Sequence, residues 1–141
     1  MTLFSQLRQM KILLIDDDEW IRDSLELYFE GEGCHLLALE TAEEGIEALK
    51  EQNYDIIMVD YRLPGMDGLE FLKRIQKTQP NALKLLITAY KSEKVVSEAL
   101  KIGIQDFIEK PFTTKTIEGS LARLMKNYGQ GIDEGNGNHS I

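Results

Sequence analysis

Residues 56–68 of the chain, IIMVDYRLPGMDG, run four apolar side chains into one acid, Asp60, and reach a second, Asp67, after a Leu-Pro-Gly turn. A carboxylate at the end of a segment that reads as buried is either a turn residue or a reacting group. Other apolar stretches end in a similar way: KILLI runs into Asp16, Asp17 and Asp18, LKLLI into Thr88, and QDFIE into Lys110 and Pro111. If these ends meet, they bring several carboxylates, one hydroxyl and one ammonium to one place. Crowded carboxylates raise one another's pKa unless a cation joins them. A hard divalent ion such as Mg²⁺ takes oxygen ligands and binds through one or two carboxylates plus a phosphate. An activated Asp can attack phosphorus and become an acyl phosphate. A metal ion, a lysine and a hydroxyl are suited to neutralise the equatorial oxygens of a phosphoryl group in transfer.

The elements that would bring the ends together alternate along the chain. Short apolar runs at 11–16, 35–40, 55–60, 83–88 and 105–109 read as strands, the first and third buried on both faces. Amphipathic stretches follow each. Ile21, Leu25, Tyr28 and Phe29 share a helical face that Gly31 and Gly33 end, and Thr41 with Glu44 forms a capping box. Asp67 and Ser92 read as N-caps, Gly103 as the residue that closes a helix, and a last helix runs over about 114–128. Strand–helix alternation predicts βαβ units and hence a single doubly wound α/β domain, a parallel sheet covered on both faces, rather than a mixed α+β domain. In such sheets ligands bind beyond the carboxyl ends of the strands. Asp55 is the contrast to Asp60: five residues earlier, at ~3.3 Å per residue, it belongs roughly 16 Å away at the opposite edge. Asp18 reads as a first-turn or cap acid, not as a ligand.

Composition narrows the function classes. With 141 residues, 43% of them hydrophobic and 28% charged, the chain suits one globular core. A net charge of −8 argues against direct nucleic-acid binding. No apolar run approaches the ~20 residues that cross a membrane, and neither a signal sequence nor a cysteine pair is present, which predicts a cytoplasmic protein without membrane insertion. Met10 stands where a natural start would fit, making residues 1–9 an N-terminal extension, residues 10–128 the domain, and the Gly-rich, aperiodic 129–141 a disordered tail.

Four signatures in order, LLIDDD, MVDYRLPGMDG, LLITAY and GIQDFIEKPF, resemble the receiver domain of two-component response regulators, the CheY-like superfamily, over 11–128. The resemblance implies a (βα)5 flavodoxin-like fold with strand order 2-1-3-4-5, the order the general rule gives for receivers. It also implies a regulatory phosphoacceptor that catalyses only its own phosphorylation and dephosphorylation within a phosphorelay. Asp60 would accept the phosphoryl group from a sensor histidine kinase or a histidine phosphotransfer protein. Asp16, Asp17, Asp60 and the backbone carbonyl of Arg62 would hold Mg²⁺, for which Mn²⁺ could substitute. Thr88 and Lys110 would contact the phosphoryl group, and the Lys110–Pro111 bond would be cis. Thr88 and Phe107 would switch the face made by the fourth helix, fifth strand and fifth helix, which is also the face for a homodimer or a downstream protein. Phe107 stands where many relatives carry Tyr, so its two states would differ by packing alone. Ile104 replaces a small residue and would alter the surface. Arg62 and Tyr90 flank the path of the attacking water and, being large, would slow self-dephosphorylation.

The sequence also admits two other readings. Asp16-x-Asp18 after a buried strand also resembles a haloacid-dehalogenase-type phosphatase, with Asp18 as general acid, although this leaves DYRLPGMDG and EKPF unused. The other is a binding module that no longer takes up phosphate.

Overall fold

The structure, a computed structural model, describes residues 2–140, with side chains described for residues 2–127. Five strands, β1 (Lys11–Ile15), β2 (His35–Leu39), β3 (Ile56–Asp60), β4 (Leu83–Thr88) and β5 (Asp106–Glu109), form one sheet in the order β2-β1-β3-β4-β5. Every neighbouring pair is parallel. Six helices accompany them: α1 (Leu3–Leu7), α2 (Glu19–Gly31), α3 (Ala42–Glu51), α4 (Gly68–Ile75), α5 (Glu93–Lys101) and α6 (Thr114–Ser140). The predicted fold class and strand order are those observed.

The apolar runs become strands because the sheet has helices on both faces to bury them. Every residue of β3 is buried, and alternate side chains enter opposite cores. Leu13, Ile15, Ile57, Val59 and Leu86 pack with Phe71 and Leu72 on one side. Ile12, Leu14, Ile56, Met58 and Leu85 pack with Leu25, Phe29 and Leu121 on the other. Polar side chains start the helices where the sequence marks them. Thr41 and Glu44 form the reciprocal capping box of α3. Asp67 accepts from the Glu70 N–H and Ser92 from the Val95 N–H. Each cap contributes on the order of 1 kcal/mol.

Three features depart from the sequence expectation. The strands begin or end one residue inside the predicted bounds in several places, for example at Ile56 and Asp106. Residues 3–7 form a helix, and Leu7 is fully buried against the α2–α6 core, 0% exposed, a burial that stabilises by roughly 1.5–3 kcal/mol. Phe4 packs edge-on against Tyr28, and Arg8 Nε donates to the Glu32 carbonyl at 2.7 Å, so the segment is tied to α2 by both packing and hydrogen bonding. Ile104 is buried in the core with Val95 and Ala99 instead of lying on the surface. The tail expected for 129–141 lies outside the residues whose side chains are described.

Candidate functional site

The register delivers the chemistry-bearing residues to one edge. Asp60 pairs with Ile87 one residue before Thr88, and Thr88 pairs with Glu109 one residue before Lys110. Asp16 follows β1 directly and its N–H donates to the Leu39 carbonyl, extending the strand edge by one residue. Asp16 is 0% exposed and Asp60 is buried, whereas Asp17 is exposed. One carboxylate oxygen from each of the three lies within 4.8 Å of the others.

Lys110 joins two of them. Its Nζ donates to Asp60 Oδ2 at 2.9 Å and, at a longer 3.3 Å, to Asp16 Oδ1. Asp16 Oδ2 is also 3.0 Å from the ammonium, as an ion pair. Among the described residues it is a buried side-chain oxygen that no hydrogen bond reaches. Burial, with the charge of Asp60 added, pushes the Asp16 carboxyl up to about 6, against the opposing pull of the Asp18 N–H and Lys110. Burial alone would lower the Lys110 pKa, but the Asp60 and Asp16 carboxylates outweigh it and raise it.

An all-oxygen set with one carboxylate oxygen left short of a donor fits a hard divalent cation. Asp17 and Arg62 line one cavity of about 470 Å³ beside the Leu63–Pro64–Gly65 turn. The turn is held open by Gly65, whose φ of +76° is left-handed, and by Glu43, which accepts from the Met66 N–H at 3.2 Å. Gly68 comes so close to the Asp60 main chain that a Cβ there would collide with the Asp60 carbonyl oxygen. Its N–H donates to the Tyr61 carbonyl at 2.9 Å. The bare glycine lets the start of α4 fix the backbone that carries Asp60.

The remaining predicted residues fall around this centre. Thr88 is buried, and its hydroxyl donates to the Tyr90 carbonyl at 2.9 Å while accepting from the Tyr90 N–H at 3.1 Å. It is therefore engaged with its own loop and not with Asp60. Tyr90 is 73% exposed and Arg62 also points to solvent. The Lys110–Pro111 peptide is cis. Phe107 is half-buried, and the Lys91 ammonium stands 4.9 Å from its ring centroid.

Sequence reasoning missed Lys91, and it missed Arg22. The Arg22 guanidinium donates to the Asp16 carbonyl at 3.0 Å, fixing the strand end that bears the buried acid. Its place one turn after the three acids was the available signal. Trp20, 78% exposed, lines a mainly apolar cavity of about 490 Å³ with Ile21, Lys110, Pro111 and Phe112, at the mouth of the site. Asp18 caps α2, accepting from Trp20 and Ile21 N–H groups. That role is structural and leaves the phosphatase reading without its general acid.

Residues 12–122 match the family model for the response regulator receiver domain, and the chain belongs to that family. It is thus a regulatory phosphoacceptor module of two-component systems, and nothing in the match favours a phosphatase. The transcriptional regulatory protein YkoG of Bacillus subtilis is 37% identical over 113 residues, covering 80% of this chain and 48% of that protein. The chain spans about a third to about half the length of the first curated relatives it matches, 32% and 48%. Among solved structures, a CheY-like receiver domain from Methanospirillum hungatei superposes with a TM-score of 0.72 at 29% identity, covering 89% of this chain and 94% of that one. CheY in the CheX–CheY–BeF3–Mg²⁺ complex of Borrelia burgdorferi gives 0.76 at 27% identity, covering 82% and 89%. No described helix is long and apolar enough to cross a membrane.

Proposed function

We propose that Asp60 accepts a phosphoryl group from a phosphohistidine of a sensor histidine kinase or a histidine phosphotransfer protein, and that the resulting charge switches the α5–β5–α6 face. The observation that carries this reading is the convergence of Asp16, Asp17 and Asp60 within 4.8 Å, with Lys110 bridging two of them. An Asp60 carboxylate oxygen attacks phosphorus, the P–N bond breaks, and the imidazole keeps the electron pair. Asp16, Asp17, Asp60 and the Arg62 carbonyl would hold Mg²⁺, which supplies positive charge to the phosphoryl oxygens when bound. The Borrelia burgdorferi complex, which holds CheY with BeF3 and Mg²⁺, is in keeping with this pairing.

Lys110 already lies against the attacking carboxylate, so it can follow the negative charge onto the phosphoryl group. The product adds roughly −1.5 to −2 charges at neutral pH. Thr88 then exchanges its bond to Tyr90 for one to a phosphoryl oxygen, and the 89–92 loop moves with it. On α5, Val95 and Ala99 are spent on the core, whereas Val96 is half-exposed and Leu100 is 60% exposed. Those two provide apolar contact for a downstream protein or a second copy of the chain.

Exposure to a small acyl phosphate and Mg²⁺ tests the reading. The wild type should gain the mass of one phosphoryl group, and the Asp60→Asn variant none. An unlabelled wild type, or equal labelling of the variant, overturns it.

A further inference from the structure

We infer that Lys91 is a positioning residue that holds Phe107 in its present half-buried arrangement and so sets how readily the site switches; this deepens, and rests on, the reading of Asp60 as phosphoacceptor. The Lys91 ammonium lies 4.9 Å from the Phe107 ring centroid, inside the ~6 Å within which a cation is attracted to an aromatic face. Phe107 packs at the margin of the core that contains Leu86 and Ile104, and it pairs in register with Leu86. A tyrosine there would have a hydroxyl to anchor either state. Phenylalanine has none, and the cation supplies the polar contact that the ring lacks.

The contact is coupled to the reacting centre by chain connectivity. Lys91 lies three residues after Thr88, and the Thr88 hydroxyl is satisfied at both lone pair and proton by Tyr90, between them. The turn around Tyr90 therefore fixes the loop backbone that places Lys91 over the ring. When Thr88 abandons Tyr90 for a phosphoryl oxygen, that turn loses both hydrogen bonds and Lys91 is carried off the ring. The two contacts belong to one arrangement of the loop and are lost together. An exposed cation–π contact made in one state only shifts a two-state equilibrium by a factor of roughly 2 to 5.

The sign of the effect separates this role from that of a bystander. Removing a positive charge near an anion site ordinarily weakens anion binding. Removing a clamp on the resting state strengthens it.

Beryllofluoride with Mg²⁺, titrated into the full chain while the Phe107 ring resonances are followed by NMR, provides the test. Lys91→Met keeps the stem and removes the charge; its conversion midpoint should fall by roughly 2- to 5-fold. Lys91→Arg should keep the wild-type midpoint. In a Phe107→Leu background, Lys91→Met should have no effect. An unchanged or raised midpoint in Lys91→Met, or the same shift with and without the phenyl ring, overturns the inference. If the wild type forms no complex, the reading of Asp60 fails, and the ring resonances of the free protein decide the clamp by themselves. A change in Lys91→Met that Lys91→Arg restores supports it, and identical spectra overturn it.

Discussion

At the amino edge of the sheet Asp55 accepts the Lys11 N–H at 2.8 Å, and the buried Lys84 ammonium donates to the Gln79 carbonyl at 2.7 Å. At the carboxyl edge the same two residue types meet differently. Asp60 and Asp16 share one ammonium, and Asp16 keeps an oxygen that accepts no hydrogen bond. At the amino edge Asp55 and Lys84 are each met by a backbone group, and Asp106, at the start of β5, is met by the Ser120 hydroxyl and the Arg123 guanidinium, so these charges are fully matched. The carboxyl edge brings side chains against side chains and has spare acceptor capacity. Burial perturbs both edges, lowering the Lys84 pKa as it raises that of Asp16. A perturbed pKa alone therefore does not distinguish a structural group from a reactive one; the unmet acceptor at Asp16 does.

Substitutions at the two edges should fail in opposite ways. The largest stability effect belongs to the amino edge. Leu7→Ala empties a fully enclosed site beside Phe29 and Leu124 and should cost roughly 2–5 kcal/mol by denaturant melts, with phosphoryl uptake intact below the melting transition. Lys110→Met, at the carboxyl edge, leaves two buried carboxylates without their cation. It should abolish phosphoryl uptake and, because the site opens partly to solvent, cost roughly 1–3 kcal/mol, much of it restored by millimolar Mg²⁺. If Mg²⁺ leaves that deficit unchanged, the spare acceptor capacity is not a metal site.

Arg62→Asn with Tyr90→Ala acts at the rim of the carboxyl edge. Phosphate release from the preloaded protein should be several-fold faster than from wild type, with melting unchanged; equal rates would remove these side chains from the water path. Lys84→Met should be the mildest, within about 1 kcal/mol in melts and silent in uptake, since an apolar replacement for a buried charge is often neutral. Loss of uptake in that variant would erase the distinction between the edges.

Local chemistry is what the sequence conveyed well. The apolar ILLI and IIMV runs read as strands covered on both faces, and the polar residues at Thr41, Asp67 and Ser92 announce helix starts because they bond within three residues of themselves. The convergence of Asp16, Asp60 and Lys110 was also legible, because each sits at the end of a parallel strand. Leu3–Leu7 was not: five residues are too few to show a helical period, and the segment is ordered by Phe29, Leu124 and Met125, which are remote in sequence. The burial of Lys84 was not legible either, because what covers it comes from other elements. Lys91 and Phe107 are 16 positions apart, and nothing about either residue alone encodes a cation placed over a ring.

The short helix before β1 also bears on how such domains are exchanged between proteins. The family pattern begins at Ile12, yet Leu7 lies outside that pattern and inside the core. A chimera joined at the alignment border would carry every residue of the phosphoryl site and still open a hole between α2 and α6. In this chain the transplantable unit is set by packing, and its seam lies upstream of Leu3.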